Sequence, residues 1–176
     1  VLNDDLTIDV RVASNLSRDI KNIFTPYLQF SRLNADIAMS KNFINILNMT
    51  AEVGGNLISG YFTSKTENGK TDYVLNIKSD SVNLDKLIKE NIDLSFIISK
   101  LSLIRSSSFN LNVMIKKLRM NNSNYDNFKL NTSYLDGSLN LKNLTFNHQG
   151  YQSAMKGELF NILSSAGEFK NFSYNI

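Results

Sequence analysis

The sequence predicts a mostly β fold, in which an antiparallel curved sheet is built from two repeated hairpin modules and carries short α-helices. Two observations lead to this prediction. Apolar and polar residues alternate along many segments, as in strands that expose one face to solvent, and glycine-containing pairs that favour tight turns separate these segments. With 176 residues, 42% of them apolar, the chain is long enough to bury the core of one ordinary domain.

Composition excludes several kinds of site. The chain has no cysteine, which rules out disulfides, thiolate zinc sites and a cysteine nucleophile, and its single histidine rules out a histidine-rich metal site. The net charge of +3 is spread thinly along the chain and gives no signal for nucleic-acid binding. We find no P-loop, GxGxxG or GxSxG motif. We therefore expect no metal, no cofactor and no nucleic-acid partner.

Period-2 alternation predicts the individual strands. The clearest case begins at Phe109, where Leu111, Val113 and Ile115 alternate with polar residues. Two segments show a phase slip, at Ile46-Leu47 and at Lys142-Asn143, and we expect a β-bulge at each because a slip of one residue otherwise turns the apolar set to the wrong face. The predicted strands are 6–12, 33–39, 44–53, 57–63, 72–78, 109–118, 128–135, 138–146 and 151–159.

Tight turns connect these segments. Gly54-Gly55, Asn68-Gly69 and Asp136-Gly137 are two-residue hairpin signals, and Gln149-Gly150 is a weaker one. Both central residues of such a turn must accept positive φ, which Gly, Asn and Asp do most readily. The short spacing predicts a meander in which each strand pairs with the next.

Helical spacing replaces the alternation in three places. Residues 17–24 form a short amphipathic segment with Ser17 as N-cap, and a second helix near 83–90 is capped by Asn83. A third run opens at Asn91 or Asp93 and continues to residue 104. These helices divide the chain into a first β-rich module over 1–92 and a second module, helix then strands, over 93–176.

The order of motifs in the second module resembles a known family. Residues 134–151, followed by Gly157-Glu158-Leu159, are similar to the signature of AsmA-like proteins, in which a strand ends in a D-G turn and an L-x-L-x-x-L-x-F strand follows. Residues 109–120 resemble the family's lead strand. Residues 81–88 resemble the short helix that ends the preceding repeat. The resemblance covers 106–160 and, more weakly, 30–92.

This resemblance implies a fragment of a large envelope-biogenesis protein on the periplasmic side of the inner membrane in a Gram-negative-type bacterium. Such proteins are anchored by a membrane helix, and their repeated sheets form an apolar groove implicated in moving phospholipid between membranes. Because the sequence opens with Val1 and shows no leader, we expect the anchor to lie outside this segment, and we expect neighbouring repeats of the parent chain as partners.

Two sets of residues are candidates for contact with phospholipid. Apolar residues at alternating positions would line the groove and shelter acyl chains, although the same pattern is typical of an ordinary core packed under helices. The groove candidates are Leu111, Val113, Leu139, Leu141, Leu144 and Phe146. A basic cluster of Lys116, Lys117 and Arg119 could meet phosphate headgroups, while its commoner meaning is a solvated strand edge that resists aggregation.

Three functional hypotheses follow. The first is a non-enzymatic, AsmA-like segment that handles or shuttles phospholipid in an apolar β-groove. The alternative is a structural or adhesive β-repeat that binds other proteins. An enzyme is the least favoured, because His148 lies beside a predicted turn with no nucleophile or ligand nearby, and general acid–base chemistry needs a positioned partner.

Overall fold

A computed structural model describes residues 8–14, 30–87, 107–160 and 168–175 of the chain. They form one open, curved sheet of ten strands in chain order and one short helix, which confirms the predicted fold class. The helices predicted at 17–24 and up to residue 104 lie outside the described residues. The elements are β1 (Ile8–Ser14), β2 (Phe30–Met39), β3 (Phe43–Val53), β4 (Asn56–Glu67), β5 (Lys70–Asn83), α1 (Leu84–Leu87), β6 (Ser108–Met120), β7 (Ser123–Leu135), β8 (Ser138–His148), β9 (Tyr151–Phe160) and β10 (Glu168–Asn175).

Strand directions divide the sheet at its centre. Neighbouring strands are antiparallel except β5 and β6, which run parallel. The connection over 84–107 is long enough for the crossover that a parallel pair requires. The directions of β1 to β5 are consequently repeated in β6 to β10. Among the described residues, the predicted ranges 1–92 and 93–176 therefore contain five strands each and share one sheet. In this arrangement β1 corresponds to β6.

The tight turns have the backbone conformation that their residues favour. All four predicted pairs lie at two-residue turns, and Asp136-Gly137 is typical, with φ of 48° and 81°. A fifth turn joins β6 to β7 through Asn121-Asn122, with φ of 51° and 60°. Asparagine tolerates this left-handed region better than most residues because its short amide bonds to the local backbone.

Both predicted phase slips are irregularities in the sheet. The pairing of β3 with β4 shifts between Ile46 and Met49, and Asn48 has a φ of 50° there. The pairing of β8 with β9 shifts between Leu141 and Leu144. In each strand the extra residue restores the apolar set to one face.

The helix α1 begins at the predicted cap. The Oδ1 of Asn83 accepts a hydrogen bond from the backbone N–H of Lys86 at 3.3 Å, the usual N-cap geometry. One residue into α1, the carboxylate of Asp85 accepts hydrogen bonds from the N–H groups of Asn121 at 2.6 Å and Asn122 at 3.1 Å. The end of the first five-strand unit is thus fastened to the first turn of the second.

Buried side chains concentrate on one face of the sheet. Val82, Ile115 and Leu118 form a cluster against which Val113, Phe128 and other apolar side chains pack. The remaining buried apolar residues of the described chain are Ala35, Ala51, Val53 and Tyr134. A one-sided distribution of this kind follows from strands whose side chains alternate between two faces.

Candidate functional site

One face of the sheet carries a line of directly paired residues across eight strands, from β2 to β9, and all of them except Thr132 and Gly157 have apolar side chains. Directly paired residues point to the same face, so the register identifies the line without ambiguity. Its members, each paired with the next, are Ile37, Ile46, Phe62, Leu75, Leu111, Thr132, Leu141 and Gly157. We call this side of the sheet the apolar face.

Two parallel lines flank the first one on the apolar face. On one side the paired residues are Gly60, Ile77, Val113, Leu130, Leu144 and Met155. On the other side they are Met39, Ile44, Ser64, Tyr73, Phe109, Tyr134 and Leu139. The apolar face is therefore at least three side chains deep along the strands.

The six predicted groove residues all lie on the apolar face. Leu111 and Val113 belong to two adjacent lines, and Leu139, Leu141 and Leu144 extend three lines into β8. Without the bulge after Leu141, the last part of β8 would face the other way. Phe146 pairs with Ser153, two residues before Met155 on β9, and so shares this face. All six side chains are half-buried.

The few polar groups on the apolar face are mostly satisfied within the sheet. The Ser79 Oγ lies 2.6 Å from the Leu57 carbonyl oxygen, and the Thr132 Oγ1 donates to the Asn140 carbonyl oxygen at 2.9 Å. Tyr134 differs, because its side chain is 1% exposed and its hydroxyl has no hydrogen-bond partner among the described residues. A buried hydroxyl without a partner is destabilising.

The opposite side of the sheet, which we call the polar face, is lined by amides and charges. Asn76, Asn112, Asn131 and Asn143 form a line of paired asparagines across β5 to β8. Lys78 and Lys129 flank Met114 in the next line. The sheet is therefore amphipathic, with one face suited to water and the other to hydrocarbon.

The three basic headgroup candidates lie near the end of β6, where two are paired with carboxylates. The Lys116 Nζ lies 2.7 Å from Asp80 Oδ1, and this hydrogen bond, together with the charge of Asp80, raises the pKa of Lys116 above its usual value. The Arg119 Nε lies 3.6 Å from Asp85 Oδ2. Lys117 is exposed and pairs in register with Asp126.

His148 ends β8 beside the predicted turn and belongs to an aromatic cluster. Its Nδ1 lies 2.8 Å from the Asn124 carbonyl oxygen, and its ring stacks on Tyr125 with the centroids 4.7 Å apart. Tyr125 in turn meets Phe146 edge to face at 5.3 Å. These contacts assign His148 a packing role at the end of the apolar face.

Neither a metal centre nor a membrane-spanning helix occurs in the described part of the chain. Its His, Asp and Glu side chains form no group of three that could hold a metal ion. Within the same residues, no helix has the length and apolar content needed to span a bilayer.

Sequence reasoning missed the half of the apolar face that comes from the first unit. Phe62, Leu75 and Ile77 lie in predicted strands with clear alternation, which was the available signal. Their position beside Leu111 and Val113 depends on the parallel pairing of β5 with β6. That pairing joins residues more than thirty positions apart and leaves no local pattern.

Comparison with known proteins gives no match, whether to a family model, a curated protein or a solved structure. The observations thus define a class by architecture alone: an open, one-sided apolar sheet of two five-strand units. The AsmA-like resemblance stays a prediction from the sequence.

Proposed function

We propose that this chain is a non-enzymatic segment of an AsmA-like envelope-biogenesis protein whose apolar face shelters phospholipid acyl chains. In this proposal the segment works on the periplasmic side of the inner membrane and handles or shuttles phospholipid between membranes. Transport as a whole belongs to the parent chain, with its anchor and neighbouring repeats. The observation that supports the proposal best is the line of paired residues from Ile37 to Leu141, in which every member except Thr132 is apolar.

The dimensions of that line suit an acyl chain. From Ile37 to Leu141 the line crosses seven strands in six steps, and at about 4.8 Å a step it measures about 29 Å along the sheet. One leaflet occupies half of a hydrocarbon layer that is about 30 Å thick, so a single acyl chain is shorter than the line. Each methylene that moves from water onto such a surface contributes about 0.8 kcal/mol when fully buried.

The sheet also meets the main physical requirement of a hydrocarbon-binding surface. Its backbone N–H and C=O groups bond to neighbouring strands, so the face offers few unsatisfied polar groups to a lipid chain. The exception among the described residues is the Tyr134 hydroxyl.

Single-cysteine labelling tests the proposal directly, because the chain has no cysteine of its own. Leu141→Cys places a polarity-sensitive fluorophore on the apolar face, and Asn140→Cys places the same dye on the polar face one residue away. A short-chain phosphatidylcholine is then added below its micelle concentration. We expect a blue shift and higher intensity at position 141 only, saturating with lipid.

The outcomes separate the proposal from its rival. An equal response at both positions, or no response at either, would refute lipid binding by the apolar face. Native mass spectrometry of the unmodified protein purified without detergent adds a second readout, since co-purified phospholipid is expected. Because it needs no substitution, it remains informative if labelling at Leu141 disturbs folding.

The alternative function is a structural or adhesive module that binds other proteins. The observation that favours it is the open sheet, in which β1 and β10 lie at the two edges of the described strands. Edge strands offer unpaired backbone groups to another chain. A lipid-free protein whose two labelled variants respond equally to lipid, and which elutes with a protein partner, would favour this function.

A further inference from the structure

A groove of about 940 Å³ crosses the polar face over β3 to β7. Lys78, Lys116 and Lys129 line it from three adjacent strands, and Lys86 reaches it from α1. We call it the lysine groove. Lys78, Met114 and Lys129 are each next in sequence to a residue of the apolar face. Because neighbouring side chains of a strand point to opposite faces, the groove lies on the side of the sheet opposite the proposed acyl-chain site.

The groove lies over an interruption in the sheet. The β5–β6 ladder pairs Ser79 with Ile115 and Ser81 with Lys117 but omits the residues between them, Asp80 and Lys116. The β6–β7 ladder likewise omits Lys116 and its counterpart Asn127, which has a φ of 54°. Each strand exposes two consecutive residues at this level. An interruption aligned over three strands changes the direction in which side chains point, as β-bulges do beside functional sites.

Positive charge dominates the groove. Its lining has four lysines and a single carboxylate, Asp80, which is paired with Lys116. Lys78, Lys86 and Lys129 have no ion-pair partner among the described residues. Lys78 and Lys129 stand two strands apart on either side of Met114, which is a separation of about 10 Å. Amides and hydroxyls, including those of Asn127 and Ser59, can donate hydrogen bonds into the groove. Apolar residues complete its lining, among them Leu57, Ile58, Met114, Ile115 and Phe128.

We propose that the lysine groove binds a phosphate-type oxyanion. The shared chemistry is a compact group with at least one negative charge and several acceptor oxygens, which lysine ammonium groups bind as point charges. A phospholipid headgroup and a soluble phosphate ester both present this group. The site shares no side chain with the apolar lines, so it does not rest on the proposed acyl-chain function.

The test compares two double variants that remove the same charge. Lys78→Gln/Lys129→Gln alters the groove, and Lys65→Gln/Lys70→Gln alters the far end of β4 and β5. All four side chains are exposed, so both variants are expected to keep the far-UV circular dichroism of the original protein. Binding is measured to phosphatidylcholine vesicles with and without phosphatidylglycerol, and to inorganic phosphate by calorimetry, at low salt.

We expect binding to anionic vesicles, to phosphate or to both, reduced about 30-fold in the groove variant and much less in the control. Asp80→Asn makes the opposite change in charge, because it removes the one carboxylate of the groove. It is expected to strengthen binding about 5-fold. Binding to vesicles that phosphate does not displace identifies a lipid headgroup, and binding to phosphate itself identifies a soluble ester. Absence of both, or equal loss in the two double variants, would overturn the proposal, whatever the labelling at position 141 gives.

Discussion

The bulge in β8 determines which residues reach the apolar face, and deleting Asn143 tests that role. Two residues, Lys142 and Asn143, occupy the space between the pairs Leu141–Gly157 and Leu144–Met155, where β9 has only one. With one residue removed, β8 can pair regularly. Leu144 then stands two residues after Leu141 and still opposite Met155, so Leu144 and Phe146 stay on the apolar face.

The cost would be large only if β8 had no bulge at 142–143, because the second half of the strand would then change sides. Leu144 and Phe146 are half-buried, so exposing them costs about 1 kcal/mol each. The loss of the two ring contacts of Tyr125, to Phe146 and His148, adds about 1 kcal/mol. Moving Thr145 and Asn147 onto the apolar face adds about 1 kcal/mol for the polar groups. The sum would be about 4 kcal/mol, a large fraction of the usual stability of a domain. With the bulge at 142–143 we expect a loss of less than about 1 kcal/mol, because only an exposed residue is removed.

Urea denaturation followed by far-UV circular dichroism measures this loss. Asn143→Ser is the matched control, because it changes the same exposed position without shortening the strand, and it should change the free energy of unfolding by less than about 0.5 kcal/mol. A deletion variant about 4 kcal/mol less stable than the original protein would refute the reasoning. In that case β8 pairs regularly at 142–143, and the bulge lies elsewhere in the strand.

Three further predictions concern single side chains, and urea denaturation measures each of them. Gly60→Ala should lower the free energy of unfolding by about 3 kcal/mol, because a Cβ at this position would overlap the Asn76 carbonyl oxygen of the neighbouring strand and force the two strands apart. Tyr134→Phe should raise the free energy of unfolding by about 1 kcal/mol, because it removes a buried hydroxyl that has no partner among the described residues. Asp85→Ala should lower it by about 2 kcal/mol through loss of two charge-assisted hydrogen bonds to the Asn121-Asn122 turn.

Each of these predictions has a control or an outcome that contradicts it. Gly55→Ala is the control for Gly60, since a Cβ there meets open space and only the φ of 77° is unfavourable, at a cost of about 1 kcal/mol. A Tyr134→Phe variant less stable than the original protein would mean that the hydroxyl is bonded after all. Asp80→Asn is the control for Asp85→Ala, because it removes a carboxylate from an exposed ion pair and should cost less than about 0.5 kcal/mol. If both variants lose the same stability, the hydrogen bonds of Asp85 to the Asn121-Asn122 turn are not what stabilises the fold there.

Most of the local structure could be predicted from the sequence. Strands, two-residue turns and the slip at Lys142-Asn143 are each encoded by neighbouring residues, through side-chain alternation and the φ preferences of Gly, Asn and Asp. For the same reason the six predicted groove residues lie on one face. The Asn121-Asn122 turn was missed because neither residue is the glycine on which hairpin signals usually depend.

The long-range features could not be predicted in this way. The parallel pairing of Leu75 with Leu111 and the contact of Asp85 with Asn121 each join residues 36 positions apart. Alternation indicates which residues share a face of one strand, but it does not give the direction of the neighbouring strand. The lysine groove was missed for this reason, since it brings together Lys78, Lys116 and Lys129 from strands of both units.

The parallel junction has a consequence for symmetry. Since β1 to β5 and β6 to β10 have the same order, directions and apolar side, a shift along the sheet relates the two units, with no reversal. The edge strands of the described sheet, β10 and β1, then have the same relation to each other as β5 has to β6. Two copies joined through these edges would form a head-to-tail contact, which repeats without closing unless curvature brings the ends together. Self-association through β-edges would therefore give extended arrays of variable length, not a defined dimer.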